Sequence, residues 1–140
     1  SDDNFTIHLY YPSGLKVALY ASKYVREKGR YFVLHGKSGS YVKEKFDPQE
    51  ALLMQGVVPQ GNWNAEPETD WGILHTEING EVIRRPYANV PASYCDFYHN
   101  LYAALTKREA PAVTAEQAAV VLGLIEKVFE SAQKGCKLKV

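Results

Sequence analysis

Trp71-Gly72-Ile73-Leu74-His75-Thr76-Glu77-Ile78-Asn79-Gly80-Glu81-Val82-Ile83-Arg84-Arg85-Pro86-Tyr87 reads as two strands folded back on each other. Asn79-Gly80 is the strongest short hairpin signal, because both residues tolerate the positive φ of a tight two-residue turn. Strands joined so closely must be antiparallel, since parallel neighbours need a crossover of about a dozen residues. Upstream, Tyr31-Phe32-Val33-Leu34-His35 and Tyr41-Val42-Lys43 form a second hairpin across Gly36-Lys37-Ser38-Gly39. Earlier still, Phe5, Ile7, Leu9 and Tyr11 alternate onto one face before the turn chemistry of Pro12-Ser13-Gly14. Leu15 to Val25 resumes the alternation, with Leu15, Val17, Leu19 and Ala21 on one face and Lys16, Tyr20, Ser22 and Tyr24 on the other.

Three helices are marked by their caps. Asp47-Pro48-Gln49-Glu50 sets an N-cap carboxylate, an N1 proline and an N3 glutamate in order, and Gly56 closes a short helix. Ser93 and Asp96 form a capping box for a helix carrying Tyr94, Phe97, Tyr98, Leu101 and Leu105. Thr114 and Gln117 cap the longest helix, whose apolar stripe runs from Ala118 through Val121, Leu122, Ile125, Val128 and Phe129 to Ala132 before Gly135. Cys136-Lys137-Leu138-Lys139-Val140 has the pattern of a last strand, and residues 57–70 form a long irregular loop.

Hairpins first and long helices late predict an α+β domain: a large, mainly antiparallel open sheet with helices packed on one face. The uncovered face carries His8, Tyr10, Lys16, Tyr20 and Tyr24. Tyrosine supplies apolar area yet tolerates water, so Tyr10, Lys16, Tyr20 and Tyr24 are candidates for an interface. A solvated face that happens to be aromatic is the plainer reading.

Sixteen basic residues balance sixteen acidic ones, so no basic field exists for nucleic acid or an anionic membrane. No apolar run approaches the roughly 18 residues of a membrane span. Cys95 and Cys136 are far apart without CxxC spacing, which disfavours a zinc site or a disulfide framework and makes a cytoplasmic setting the default. They fit buried apolar packing better than nucleophilic roles. The Asn4-Phe5-Thr6 sequon carries little weight without a secretory signal. The chain opens at Ser1 without methionine and passes at once into alternation, which suggests a cut between domains; proteolytic maturation gives the same start.

No catalytic constellation emerges. Gly36, Gly39, Gly56 and Gly61 do not make a GxGxxG, and no GxxxxGK[ST], GxSxG or HExxH occurs. His8, His35, His75 and His99 stand singly, and a lone histidine is more often structural than a general base. Asp47 and Glu50 are explained by capping, and Lys43 reads as a solvated strand residue. Trp63 and Trp71, in or beside the loop, either line a sugar-like substrate or pin the loop to the core. No catalytic, cofactor-binding or metal-binding residue is expected in this chain.

The run His35-Gly36-Lys37-Ser38-Gly39-Ser40-Tyr41-Val42-Lys43 followed by Asp47-Pro48-Gln49-Glu50 resembles an "HGxxGSxxK…DPQE" signature of the glucose–fructose oxidoreductase/inositol dehydrogenase/MocA family. Trp71-Gly72-Ile73-Leu74, Tyr94-Cys95-Asp96-Phe97-Tyr98 with Leu101 and Ala104-Leu105, and Pro111-Ala112-Val113-Thr114-Ala115-Glu116 are similar to further motifs of that branch, in the same order from about Ile7 to Val140. Where the family commonly has a glycine, Pro91-Ala92-Ser93 stands here.

The resemblance implies that 1–140 is a single C-terminal domain, like that of glyceraldehyde-3-phosphate dehydrogenase in fold. Its parent would carry an N-terminal Rossmann domain for NAD or NADP, absent from this chain. The domain would shape the cleft for a sugar or polyol, with Trp63, Trp71 and His35 as candidate substrate residues, and build a homo-oligomer through its open sheet face. The dinucleotide fingerprint, the Glu-Lys-Pro lysine and the Asp…His pair of the family lie upstream, so the fragment alone is expected to bind no cofactor and to be inactive. A standalone small-ligand-binding or dimerisation module is the alternative.

Overall fold

A computed structural model of the protein describes Asp3–Val90 and Ala92–Val140; Pro91, part of the departure from the family pattern, lies outside the described residues. In chain order the elements are β1 (Asn4–Tyr10), β2 (Lys16–Ser22), β3 (Phe32–His35), β4 (Gly39–Lys43), α1 (Gln49–Met54), β5 (Gly72–Ile78), β6 (Glu81–Tyr87), α2 (Tyr94–Thr106) and α3 (Ala115–Lys134), with one 3₁₀ turn at Glu68–Asp70. The chain divides into two compact units: Ser1–Glu27 with Ala110–Val140, and Lys28–Glu109.

The architecture is α+β with antiparallel strands throughout, as expected. Within the first unit the strands pair as β1-β2, and within the second as β3-β4-β5-β6. Segment 23–31, which joins β2 to β3, has five charged residues and Gly29 and lacks apolar alternation.

In the first unit β1 and β2 pair from Asn4↔Ser22 to Tyr10↔Lys16. Phe5, Ile7 and Leu9 therefore share a face with Ala21, Leu19 and Val17, and Thr6, His8 and Tyr10 share the other with Tyr20, Ala18 and Lys16. Gly14 takes φ +86° in the connecting turn, where a β-carbon would be strained. β2 stops at Ser22, short of the expected Val25: the Ser22 hydroxyl accepts the Tyr24 N–H at 3.2 Å, and Lys23 pairs with Asp3 at 2.6 Å.

The long helix α3 follows its caps. Thr114 accepts the Gln117 N–H while the Gln117 side chain accepts the Thr114 N–H, a complete capping box, and Gly135 closes the helix at φ +62°. On its surface Glu130 bonds both Lys127 and Lys134 at 2.6 Å, which holds its carboxyl below the usual range, Lys127 contributing most. The last strand expected over Cys136–Val140 does not form: the segment after Gly135 takes no strand structure. Cys136 is exposed and Cys95 half-buried, so neither is the fully buried packing residue expected.

In the second unit the β5–β6 hairpin turns on Asn79 at φ +53° and Gly80 at φ +82°, the paired positive angles its sequence announced. The β3–β4 hairpin closes with Gly36 N–H donating to Gly39 C=O at 2.8 Å. Helix α2 begins at Ser93, whose hydroxyl accepts from Cys95 N–H rather than from Asp96, one residue short of the expected box.

No apolar side chain among the described residues is fully buried; the buried side chains are Lys43 and Gln49. Thr114→Ala should lower stability by about 1 kcal/mol, the usual worth of an N-cap. A urea midpoint by helical circular dichroism would show it, and an unchanged midpoint would contradict the cap's role.

Candidate functional site

Lys43 ends β4 and projects on the same face as Tyr41 and as Phe32, its partner in β3. Expected to be solvated, it is instead 3% exposed, because the 66–71 segment lies over that face. Its Nζ donates to Glu66 Oε2 at 2.7 Å and to the Asp70 carbonyl at 2.9 Å. Glu66 Oε2 also accepts from Asn89 Nδ2 at 3.1 Å, and Asn89 Oδ1 accepts from the Tyr41 hydroxyl at 2.6 Å. The chain of bonds thus leaves β4 at Lys43 and returns to it at Tyr41, enclosing parts of two loops. Trp71 Nε1 adds a bond to the Glu66 carbonyl at 3.1 Å, so the residues from Glu66 to Trp71 are stapled at both ends.

A buried ammonium is tolerated only when its charge and protons are matched. Here a carboxylate and a carbonyl do so, and no buried side-chain polar atom among the described residues lacks a partner. Gly72 is required beside this network. A β-carbon there would lie 2.1 Å from Tyr41 Cζ, and the ring cannot yield without giving up its bond to Asn89.

Next to the network, Asp47 accepts the Gln49 N–H at 2.8 Å and its Nε2 at 2.6 Å. Asp47 thus holds the first N–H of α1 from the residue before its N-cap, Pro48, and the side chain that bonds it is Gln49, not Glu50. Gln49 is 1% exposed, and its Oε1 accepts the Tyr94 N–H at 2.7 Å, tying the start of α1 to the start of α2.

Two clefts open within this unit. The first, about 360 Å³, lies on the Lys43 side, with Phe32, Phe46 and Trp71 as aromatic walls and Asp47, Asn62 and Asn64 among its polar groups. The second, about 440 Å³, includes Ser40, Val42, Ile73, His75 and Arg84, residues that share the opposite face of the sheet. At its rim Lys45 Nζ meets Asp70 Oδ1 at 2.6 Å. That bond first, and the Thr69 hydroxyl second, hold the Asp70 carboxyl below the usual range.

Of the residues singled out in the sequence, Trp71 lines both clefts. Trp63 is half-buried inside its loop, and His35 is exposed at the end of β3 with Nδ1 2.8 Å from Ser40 Oγ; neither lines either of these two clefts. Tyr10, Lys16 and Tyr20 share one face of the β1–β2 hairpin, and Tyr10 carries Lys137 Nζ 4.3 Å from its ring centre. Tyr24 lies beyond β2 and bonds Asp3 at 3.2 Å. Lys43, Glu66, Asn89 and Asn62 were not singled out as site residues. For Lys43 the signal was its place two residues after Tyr41, in the alternation that pairs with Phe32 and Leu34.

Among the described residues no group of three or more histidine, cysteine or acidic side chains could hold a metal ion. Asp47, Ser93 and Thr114 each accept one backbone N–H at the start of a helix. None of these helices follows the glycine-rich turn that a dinucleotide pyrophosphate site needs. What the site offers is hydrogen-bonding groups held rigidly between aromatic walls.

Lys43→Met should cost about 3–5 kcal/mol by leaving Glu66 largely buried without its cation. Adding Glu66→Leu should recover part of the loss in chemical denaturation. A single variant as stable as the parent would contradict a structural role for the pair.

The profile of a family described as the oxidoreductase family, C-terminal alpha/beta domain, matches residues 1–140. YdgJ, an uncharacterised oxidoreductase of Escherichia coli, is 34% identical over 95% of this chain and 38% of its own length. IolW of Bacillus subtilis, named a scyllo-inositol 2-dehydrogenase (NADP(+)), is 29% identical over 94% of this chain and 37% of its own. A Bacteroides fragilis crystal structure, assigned as an oxidoreductase, superposes with a TM-score of 0.90 at 40% identity, covering 99% of this chain and 42% of that one. The chain spans about two fifths of the length of these relatives.

Proposed function

The chain belongs to the Gfo/Idh/MocA oxidoreductase family as its C-terminal alpha/beta domain, and from this we propose that it is the substrate-side and assembly domain of a cytoplasmic NAD(P)-dependent dehydrogenase. The proposed reaction is hydride transfer between the nicotinamide and a secondary alcohol of a sugar or polyol. The nicotinamide nucleotide would supply the hydride chemistry from an N-terminal Rossmann domain, and residues of this chain would bind and orient the alcohol.

One observation carries the division of labour: the apolar surface that neither unit covers by itself. On α3, Val121, Leu122, Ile125 and Phe129 are 47–62% exposed, and Leu19 and Leu34 in the strands are 47% and 60% exposed. An apolar stripe along one helix face, such as that of α3, suits packing against another protein surface. An upstream domain and a second copy of the chain are the two occupants that the reading supplies. The inositol dehydrogenase among the relatives supports the substrate class. Free cysteines and the lack of any helix long and apolar enough to cross a membrane, among the described residues, support the compartment.

The test compares this chain with the longer oxidoreductase that contains it. NADPH titrated into the chain alone should leave its fluorescence unchanged, while the longer protein should reduce NAD(P)⁺ with a polyol such as scyllo-inositol. Micromolar binding by the chain alone would overturn the division of labour, and absence of turnover across sugars and polyols would overturn the substrate class. Light scattering should show a dimer or larger species; a strict monomer at high concentration would remove the assembly role.

A further inference from the structure

The cleft of about 440 Å³ lies on the opposite face of the sheet from Lys43, and two cross-strand rows build its floor. Val42 and Ile73 are partners across β4 and β5 and make an apolar row. Ser40, His75 and Arg84 are partners in turn across β4, β5 and β6 and make a polar row beside it. Residues two apart on a strand share a face, so both rows belong to the same cleft. Trp71, two residues before Ile73, continues the apolar side.

The charges of this cleft are matched except at one end. Lys45 meets Asp70 at 2.6 Å, and Arg30 meets Glu44 at 3.8 Å. The Arg84 guanidinium has neither a hydrogen bond nor an ion pair among the described residues, and the His75 ring beside it bonds nothing. A guanidinium is planar, and its paired donors match the two oxygens of a carboxylate. A further donor stands in the same row. Ser40 Oγ lies 2.8 Å from His35 Nδ1; when that nitrogen carries the proton and donates it, the serine O–H is left for a ligand. The neighbours limit the ligand's charge. A dianion such as phosphate would carry one charge more than Arg84 neutralises, in a cleft that also holds Glu44 and Asp70. A bare anion of any charge would leave Val42 and Ile73 uncovered.

We propose that this cleft binds an organic carboxylate. Its carboxylate pairs with Arg84 and accepts from His75 and Ser40, and its apolar body lies on Val42 and Ile73 against Trp71. The opposite wall, Thr69 to Trp71, comes from the segment that Lys43 and Glu66 hold, so the cleft has its width before the ligand arrives. Neither the site nor its ligand depends on the proposed hydride transfer, so either can fail without the other.

The experiment follows the Arg84 Nε–H, His75 amide and Ile73 methyl signals by NMR in the full chain as benzoate is added, with acetate, benzyl alcohol and inorganic phosphate as comparisons. Saturable shifts are expected with benzoate and none with benzyl alcohol, which lacks the charge. Acetate, which lacks the apolar body, should bind about tenfold more weakly. Arg84→Gln should weaken benzoate binding at least about tenfold, the worth of a charge-assisted hydrogen bond. It should leave the circular dichroism unchanged, because the Arg84 side chain bonds nothing. Absence of saturable shifts with benzoate would overturn the proposal, as would binding that Arg84→Gln leaves intact. Phosphate bound more tightly than benzoate would make this a site for bare anions and overturn it. Benzoate affinity that falls as the chain is concentrated would put a second copy's carboxylate on Arg84, with the same consequence.

Discussion

A lysine ammonium held away from water governs the geometry of the 28–109 unit. Lys43 sits at the end of a sheet strand, where an alternating sequence would ordinarily send a charge to solvent. Taking it out of water costs several kcal/mol unless a counter-charge and further acceptors replace its hydration. The Glu66 carboxylate and the Asp70 carbonyl provide that replacement, and both come from a segment that has no sheet or long helix to order it. An irregular segment is thereby given a single position relative to β4.

That constraint propagates through neighbours which have little freedom of their own. Glu66 must face Lys43, so its second partner, Asn89, is drawn toward the same point, and Tyr41 completes the circuit. The Tyr41 ring then lies so close to Gly72 that no β-carbon fits there. Glycine at 72 is thus a packing requirement rather than a turn. Trp71, one residue earlier, is pinned through its indole N–H to the Glu66 carbonyl, which places one aromatic wall beside both clefts. Buried polar networks of this kind hold a unique arrangement when every member is satisfied, as their buried side-chain atoms are here.

Local features were legible in the sequence, and distant ones were not. Asn79-Gly80, the Thr114–Gln117 box and Gly135 act within a few residues of themselves, and each does in the fold what its chemistry announced. Family motifs carried the class and the identity of the domain across the whole chain. Lys43 escaped because its carboxylate lies in an irregular loop 23 residues away, with no periodicity to relate the two. Cys136–Val140 misled for the converse reason: alternation makes a strand possible, and only a neighbouring ladder makes one.

If the ion pair orders the loop, removing it must loosen that loop before the sheet. Backbone amide hydrogen exchange in Glu66→Gln, compared with the parent chain, separates the two regions. Protection of the Asp70 and Trp71 amides, which bond the Pro67 and Glu68 carbonyls in the 3₁₀ turn, should fall sharply while the β4–β5 ladder keeps its own. Unchanged protection at Asp70 and Trp71, or a uniform loss across loop and sheet alike, would contradict the account.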